Sequence, residues 1–144
     1  TALLSCLWPN FLNLFMVGFA SSFSAKLSDT FSSEIGKRFG KRTFLITTLK
    51  PVSPGTEGAI SIEGSIAGLL GSFIMTIFML NLSIISGPSV AFIVFFSGYL
   101  ATFLESYIGA VVQNKTDWMT NELVNSIQTS IAAIISIFLY LKFV

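Results

Sequence analysis

Three long stretches without a charged residue constrain the fold of this 144-residue chain more than any other feature. They cover residues 1–25, 64–104 and 123–141. A membrane-spanning helix needs about 20 mostly apolar residues, so the middle stretch is long enough for two helices that break at Gly87-Pro88. Only 10% of the residues are charged, against roughly 25% in an average soluble domain. The sequence therefore predicts an all-α fold, a polytopic membrane helix bundle.

The whole chain, residues 1–144, is predicted to form a single transmembrane domain with about four transmembrane helices. The spans are expected at about residues 3–35, 61–82, 88–112 and 121–143. The first apolar stretch lacks a basic start and contains Pro9, Asn10 and Asn13, so we interpret it as a span and not as a secretory signal.

Two polar loops, residues 36–60 and 113–120, separate the predicted spans, and the connection near residues 81–88 carries no charge. The first polar loop is rich in basic residues, and the positive-inside rule therefore places it on the cytosolic or stromal side. The number of spans between them puts the second polar loop on the same side. One site could then be assembled from both loops.

The absence of histidine and the presence of a single cysteine, Cys6, restrict the chemistry of such a site. They exclude an internal disulfide and a cysteine-cluster metal site, and they remove histidine as a general base, metal ligand or haem ligand. Any catalysis must use carboxylates, amines, hydroxyls, amides and a bound metal.

Three carboxylates in or beside the apolar stretches are candidate functional residues: Asp29, Glu34 and Glu105. An ionised Asp at the centre of a membrane helix costs roughly 2.5–3.5 kcal/mol, so Asp29 is expected to have a partner or an aqueous pocket. Lys26, three residues earlier, could be only its ion-pair partner. Glu34 could likewise pair with Arg38, four residues later, and Glu105 could reach the membrane surface or face inward.

A loop that reads Gly55-Thr56-Glu57-Gly58 leads into the second predicted span, and Lys50 precedes it. Glycines before a helix N-terminus present backbone N–H groups that suit a phosphate, and a lysine could reach a phosphate oxygen. The order of a Walker motif is absent, and an ordinary turn with a helix cap is the alternative. Gly64 and Gly68 are expected to pack against another helix.

Asn121 and Asn125 share one face of the fourth span, at the same end as the glycine loop. They could hydrogen-bond a nucleotide or a phosphate, or they could join helices. Trp118 is predicted to anchor this end at the membrane interface.

Several of these segments together resemble one family. They read AKLSDTFSSEIGK (25–37), TTLK (47–50), GTEGAIS (55–61), ESYIGA (105–110) and WMTNELVN (118–125). In combination they resemble the integral-membrane phytyl-phosphate kinase family of plants and cyanobacteria, over most of the chain from about residue 18 to 130. Glu105 stands where bacterial relatives outside the phototrophs tend to have Asp, so the phototroph branch fits better.

The resemblance implies transfer of the γ-phosphate of CTP or another NTP to phytyl phosphate, which gives the diphosphate used in tocopherol and phylloquinone synthesis. It implies Mg²⁺ as cofactor, a plastid or cyanobacterial membrane, and further spans upstream of these residues in the whole protein. We expect the bilayer, a prenyl phosphate and a nucleotide as partners and no nucleic acid, and a homo-oligomer is left open.

The residues that would serve this reaction fall into three groups. The expected catalytic residues are Asp29, Lys50 and Glu105, and the expected metal ligands are Asp29, Glu34 and Glu105. Nucleotide or phosphate binding is expected from Lys26, Lys37, Gly55, Thr56, Gly58, Asn121 and Asn125.

Two other functions remain open from the residues alone. Paired carboxylates within the membrane also mark ion- and proton-coupled transporters. A non-catalytic helical subunit of a membrane complex is the third reading, in which Asp29 and Glu105 would pair with basic residues of a partner.

Overall fold

Four long α-helices make up most of the computed structural model, which describes residues 3, 7–113 and 118–144. They are α1 (Leu12–Phe39), α2 (Ile62–Asn81), α3 (Pro88–Val111) and α4 (Asn121–Phe143). A 3₁₀ turn at Pro9–Phe11 precedes α1, and strands β1 (Thr43–Leu45) and β2 (Ala59–Ser61) connect α1 to α2. The predicted helical bundle is confirmed, and the two-stranded antiparallel sheet is an addition that the sequence analysis did not foresee.

Three helices in the described part of the chain, α2, α3 and α4, are long and apolar enough to cross a membrane. At 28 residues α1 is longer than any of them, but it does not belong to this group. Its C-terminal half carries charged residues, which lower its hydropathy: Lys26, Asp29, Glu34, Lys37 and Arg38. This helix packs against each of the other three, and its buried polar residues are Ser21, Ser24 and Ser28, whereas four of these five charged residues are exposed.

The interior of the bundle consists of small and hydroxyl-bearing side chains, while large apolar side chains such as Phe92 and Phe138 are exposed on the outside. Between α1 and α2, the Ser24 and Ser72 hydroxyls lie 2.7 Å apart. Between α1 and α3, the Thr102 hydroxyl donates to Ser28 Oγ at 2.9 Å. Lipid tails are as apolar as leucine, so membrane helices associate through such close packing and hydrogen bonds.

Glycines allow the helices to approach this closely. A Cβ added at Gly64 would lie 2.7 Å from the Ser32 carbonyl oxygen, and one added at Gly68 would lie 3.1 Å from Ser32 Cβ. The expected packing role of these two glycines is therefore observed, at the contact between α2 and α1.

The closest helix contact gives a testable prediction about stability. A Cβ added at Gly98 on α3 would lie 2.4 Å from Ser24 Oγ and 2.7 Å from Ser24 Cβ on α1. We expect Gly98→Ala to destabilise the protein by about 1–3 kcal/mol, because the two helices must separate or tilt. Thermal unfolding in detergent would measure this.

The double variant Ser24→Gly/Gly98→Ala provides the control, since it removes the two nearest atoms of Ser24. We expect it to be more stable than the sum of the single variants predicts. Strict additivity would contradict the proposed contact.

Both polar loops lie at one end of the bundle, where α1 and α3 end and α2 and α4 begin. There Gly36 of α1 lies against Gly64 of α2, and Gly58 of the first loop lies against Ala110 of α3. In the hairpin, Thr43 is opposite Ser61 and Leu45 is opposite Ala59. This pairing folds residues 46–58 back over the end of the bundle, beside the ends of α1 and α3.

Candidate active site

A cavity of about 300 Å³ lies at this end of the bundle, between the helix termini and the folded loop. Except for Lys50, every site residue predicted from the sequence lines it. These residues are Lys26, Asp29, Glu34, Lys37, Gly55, Thr56, Gly58, Glu105, Asn121 and Asn125. The fold therefore brings together side chains from α1, the loop, α3 and α4 that are far apart in the sequence.

One side of α1 forms a wall of the cavity. Lys26, Thr30, Ser33 and Lys37 all line it, and they follow each other at intervals of four, three and four residues. Residues at this spacing lie above one another on a helix. A polar stripe with a lysine at each end and two hydroxyl groups between them therefore runs along α1.

Asp29 beside this stripe has the ion-pair partner expected from the sequence. Its Oδ2 lies 3.2 Å from Lys26 Nζ, and the side chains are 13% and 47% exposed, respectively. The ion pair offsets the free-energy cost of placing an ionised carboxylate in an apolar segment. Both residues still line the cavity, so the ion pair does not remove Asp29 from the site.

Glu34 is exposed at the rim of the cavity. The alternative pairing with Arg38 is not formed, because Lys26–Asp29 is the one ion pair within the part of the chain that the structure describes. Glu34 is therefore available to a cation or a ligand at the cavity mouth.

Glu105 faces inward from α3 and is partly buried. It accepts a hydrogen bond from the Ser106 hydroxyl at 3.4 Å and interacts electrostatically with Asp29, Glu57 and Lys26. Glu105 therefore lies within electrostatic range of one carboxylate on α1, one carboxylate on the loop and the Lys26 ammonium.

The glycine loop is held against α3 by Gly58. This residue has φ +77°, and a Cβ there would lie 2.4 Å from Ala110 Cβ and 2.7 Å from the Ser106 carbonyl oxygen. Gly55 also has a positive φ, +87°, but its surroundings are open. Gly55 is thus free to approach a ligand, whereas Gly58 holds the loop against α3.

The expected direct connection from this loop to a helix N-terminus is wrong. Strand β2 lies between Gly58 and α2, and the Gly64 N–H at the start of α2 is capped by Ser61 Oγ at 3.0 Å. The Thr56 hydroxyl donates to the Ser53 carbonyl at 2.8 Å. The Ser61 hydroxyl therefore satisfies one N–H group of the α2 N-terminus, and the glycine loop lines the cavity as a separate segment.

Lys50 is the predicted site residue that the structure does not place at the cavity. Its side chain is exposed, and its carbonyl oxygen accepts from the Leu45 N–H at 2.9 Å. The neighbouring bridge between Phe44 and Pro51 holds this part of the loop along β1. Proximity in sequence to the glycine loop was therefore a poor guide to where Lys50 lies in space.

The first turn of α4 provides the two asparagines. Asn121 contacts Gln113 at the end of α3, where Gln113 Nε2 donates to Asn121 Oδ1. This contact joins the two helices across the second polar loop, and Asn125 lies one turn further along α4. Joining helices and lining the cavity are both observed for Asn121. Two charged residues of that loop, Lys115 and Asp117, lie outside the described residues.

Several cavity residues were not assigned a role from the sequence. Glu57 is the most important of them, since it adds a carboxylate beside Glu105. The spacing of Thr30 from Lys26 and Lys37 could have identified the full stripe on α1. The remaining unassigned lining residues with a side-chain hydroxyl are Ser32, Ser33, Thr43, Ser61 and Ser106.

The carboxylates can be tested for their fit to Mg²⁺. No three acidic side chains among residues 7–113 and 118–144 converge as a metal-binding group. Mg²⁺ does not require this, because it usually takes one or two carboxylates and completes its shell with phosphate oxygens and waters. The all-oxygen donors Asp29 and Glu105, which interact across one cavity, fit that pattern.

The chain belongs to the family described as integral membrane protein DUF92, whose model matches residues 1–133. It is 49% identical over 121 residues to the uncharacterized membrane protein sll0875 of Synechocystis. It is 48% identical over 129 residues to Protein VTE6, chloroplastic, of Arabidopsis thaliana. It is 35% identical over 128 residues to the uncharacterized membrane protein MJ0933 of Methanocaldococcus jannaschii.

These matches cover 84%, 88% and 89% of this chain and 46%, 38% and 52% of the three relatives, respectively. The chain therefore spans about half the length of the curated relatives it matches, or less. No solved structure matches it. The predicted location is confirmed: this is an integral membrane family, with a chloroplastic plant member and a cyanobacterial membrane protein among the relatives.

Proposed function

We propose that this protein is a phosphotransferase that transfers the γ-phosphate of CTP or another NTP to phytyl phosphate or a similar prenyl phosphate. The observation that carries the proposal is the single cavity in which two lysines and several carboxylates meet at the loop end of a membrane bundle. The motif resemblance to the phytyl-phosphate kinase family is the basis for the substrate class that we propose, and the similarity to Protein VTE6 supports it.

The chemistry suits a site without histidine. Phosphoryl transfer depends mainly on positioning and on neutralising charge, with little covalent work for the protein. The acceptor is a phosphomonoester whose attacking oxygen is already ionised at neutral pH, so no strong base is needed. The side chains around the cavity include ammonium, carboxylate, amide and hydroxyl groups, which are sufficient for these tasks.

Each group of residues then has a role. Asp29 and Glu105 would hold Mg²⁺, with Glu34 as a further oxygen ligand at the rim. When bound, Mg²⁺ supplies neutralisation of the phosphate charge that develops during transfer. Lys26 and Lys37 bind phosphate oxygens, the Gly55–Gly58 loop closes over them, and Asn121 and Asn125 hydrogen-bond the nucleotide or its phosphates.

The test is transfer of label from γ-labelled CTP to phytyl phosphate by the purified full-length protein in detergent with Mg²⁺. We expect a labelled lipid diphosphate that depends on both substrates and disappears when the metal is chelated. No transfer from CTP, ATP, GTP or UTP by folded protein would contradict the proposal. Ion flux in liposomes without nucleotide turnover would instead support a transporter.

A further inference from the structure

The polar stripe on α1 extends from the membrane-embedded part of the bundle to its loop end. Lys26 and Lys37 are separated by 11 residues, which in an α-helix is about three turns and about 16 Å. Thr30 and Ser33 lie between them and line the same cavity. This length allows two separate phosphate groups to be bound along one wall.

The two lysines differ in their depth. One turn from Lys26, the Ser22 hydroxyl donates to the Thr129 carbonyl at 2.9 Å and Gln128 donates to the Ala25 carbonyl at 3.2 Å. Lys26 is therefore level with about the second turn of α4, and it lies deeper in the bundle than the end of α1. Its side chain is 47% exposed and lines the cavity.

Lys37 lies at the opposite end of the stripe. It belongs to the last turn of α1, next to Gly36, whose added Cβ would lie 3.2 Å from Ser61 Oγ at the start of α2. Residues 55–58 line the cavity together with Lys37, and Arg38, Lys41 and Arg42 follow it in the sequence. Lys37 is thus at the end of the cavity nearest the polar loops, and Lys26 is at its deeper end.

We propose that the two lysines bind different substrates: Lys26 binds the phosphate of the membrane-bound acceptor, and Lys37 binds the phosphates of the nucleotide. This inference rests on the proposed function. The hydrocarbon tail of the acceptor stays among the apolar parts of the helices, so its phosphate would occupy the deeper end of the cavity, where Lys26 lies. The nucleotide arrives from water and first meets the basic end of α1.

The arrangement places the reacting groups in one line along α1. An oxygen of the acceptor phosphate forms a bond to the γ-phosphorus, and the bond from that phosphorus to the β–γ bridging oxygen breaks. The electron pair of that bond leaves with the nucleoside diphosphate. With a dianionic acceptor no proton is lost or gained, and the products are the lipid diphosphate and the nucleoside diphosphate.

Lys26 would also determine acceptor specificity. Its ammonium favours a lipid that already carries a phosphate, because a free prenyl alcohol would leave the charge without a second anion. Asp29, at 3.2 Å, orients this ammonium and links acceptor binding to the carboxylates. We assign Lys26 as the residue that distinguishes a lipid monophosphate from a lipid alcohol.

The experiment is steady-state kinetics of the full-length protein and its Lys26→Gln and Lys37→Gln variants, with phytyl phosphate and CTP varied separately. We expect Lys26→Gln to raise the KM for phytyl phosphate roughly tenfold and to change the KM for CTP by less than about twofold. Lys37→Gln should show the reverse. Lys26→Arg keeps the charge but changes the geometry of phosphate binding, so it should raise the KM for phytyl phosphate by less than Lys26→Gln does and leave the KM for CTP unchanged.

Lys142→Gln is the matched control, since Lys142 lies at the far end of α4 beside Phe143. It should leave both KM values unchanged. Both variants could raise the same KM, or Lys26→Gln could raise mainly the KM for CTP. Either result would show that the two lysines do not bind different substrates, even though the enzyme is a kinase. Absence of transfer by the wild-type protein would instead overturn the proposed function itself.

Unfolding temperatures measured in detergent show whether a lysine variant has lost stability or only substrate binding. If Lys26→Gln fails to fold, Lys26→Arg decides the question alone. An altered acceptor KM with an unchanged CTP KM supports the assignment, because the guanidinium changes the geometry of phosphate binding at that position only. Unchanged values for both substrates would contradict it.

Discussion

Replacing Asp29 with Asn is expected to lower the rate of phosphoryl transfer by roughly a hundredfold or more and to leave the protein folded. The substitution keeps the size and shape of the side chain but removes the negative charge that faces the cavity. The Lys26 ammonium, 3.2 Å away, would lose its ion-pair partner but keep a hydrogen-bond acceptor in the amide oxygen. The loss should therefore appear in kcat more than in stability.

Label transfer with saturating CTP and phytyl phosphate measures the rate, and thermal unfolding in detergent measures the stability. A titration of Mg²⁺ adds a second readout. If Asp29 binds the metal, the Asn variant should need a higher Mg²⁺ concentration for half-maximal activity, because the site has one carboxylate fewer.

Glu34→Gln provides the comparison, because it also neutralises one cavity carboxylate. Glu34 is exposed at the rim and Asp29 is 13% exposed, so water screens the charge of Glu34 much more effectively than that of Asp29. We expect about tenfold loss or less for Glu34→Gln. Equal losses in both variants, or a wild-type rate for Asp29→Asn, would contradict the role assigned to Asp29.

The sequence was sufficient to predict the helices and the main charged residues because each depends on local patterns. Uncharged stretches of about 20 residues define the spans whatever their neighbours are. Gly64 and Gly68 show their packing role through their spacing. The parity of the spans likewise places both polar loops at one end, where the cavity lies.

The position of each residue within the first polar loop was not predictable in the same way. Lys50 precedes the glycine loop in sequence, but the pairing of β1 with β2 and the bridge from Phe44 to Pro51 carry it away from the cavity. The same pairing separates Gly58 from α2. Such short strands have no strong periodic pattern, and their register depends on contacts between residues far apart in sequence.

Glu57 is a cavity residue that the sequence did not predict. In the sequence it looks like one polar residue of an ordinary turn, and nothing local distinguishes it from Glu63, in the first turn of α2. Glu57 lies near Glu105 because Gly58 packs the loop against α3. The residues in that contact are about 50 positions apart in the sequence. The number of carboxylates at the site could therefore be found only from the folded structure.

The seating of this loop leads to the second large effect that we expect. Gly58→Ala should reduce phosphoryl transfer at least about tenfold, because the loop can no longer rest on α3. Alanine at a positive φ costs about 1–2 kcal/mol by itself. In addition, its Cβ would lie 2.4 Å from Ala110 Cβ and 2.7 Å from the Ser106 carbonyl oxygen, which is backbone and cannot rotate away.

Gly55→Ala separates these two causes. Gly55 has φ +87°, so alanine there bears a similar backbone cost, but no atom lies within 4 Å of the added Cβ. We expect Gly55→Ala to lose less activity than Gly58→Ala, and limited proteolysis between residues 46 and 58 to be faster only in the Gly58 variant. Equal losses and equal cleavage would show that the backbone conformation, and not the contact with α3, is what matters.

A second substitution on α3 tests the contact directly. In Gly58→Ala/Ala110→Gly the nearest atom is removed, while Ser106 O and the Cα of residue 110 remain 2.7 and 2.8 Å from the new methyl group. We therefore expect partial recovery of both protease resistance and turnover. Because Glu57 precedes Gly58, recovery of turnover would also link the position of this carboxylate to catalysis. Restored protease resistance without restored turnover would limit Gly58 to a structural role.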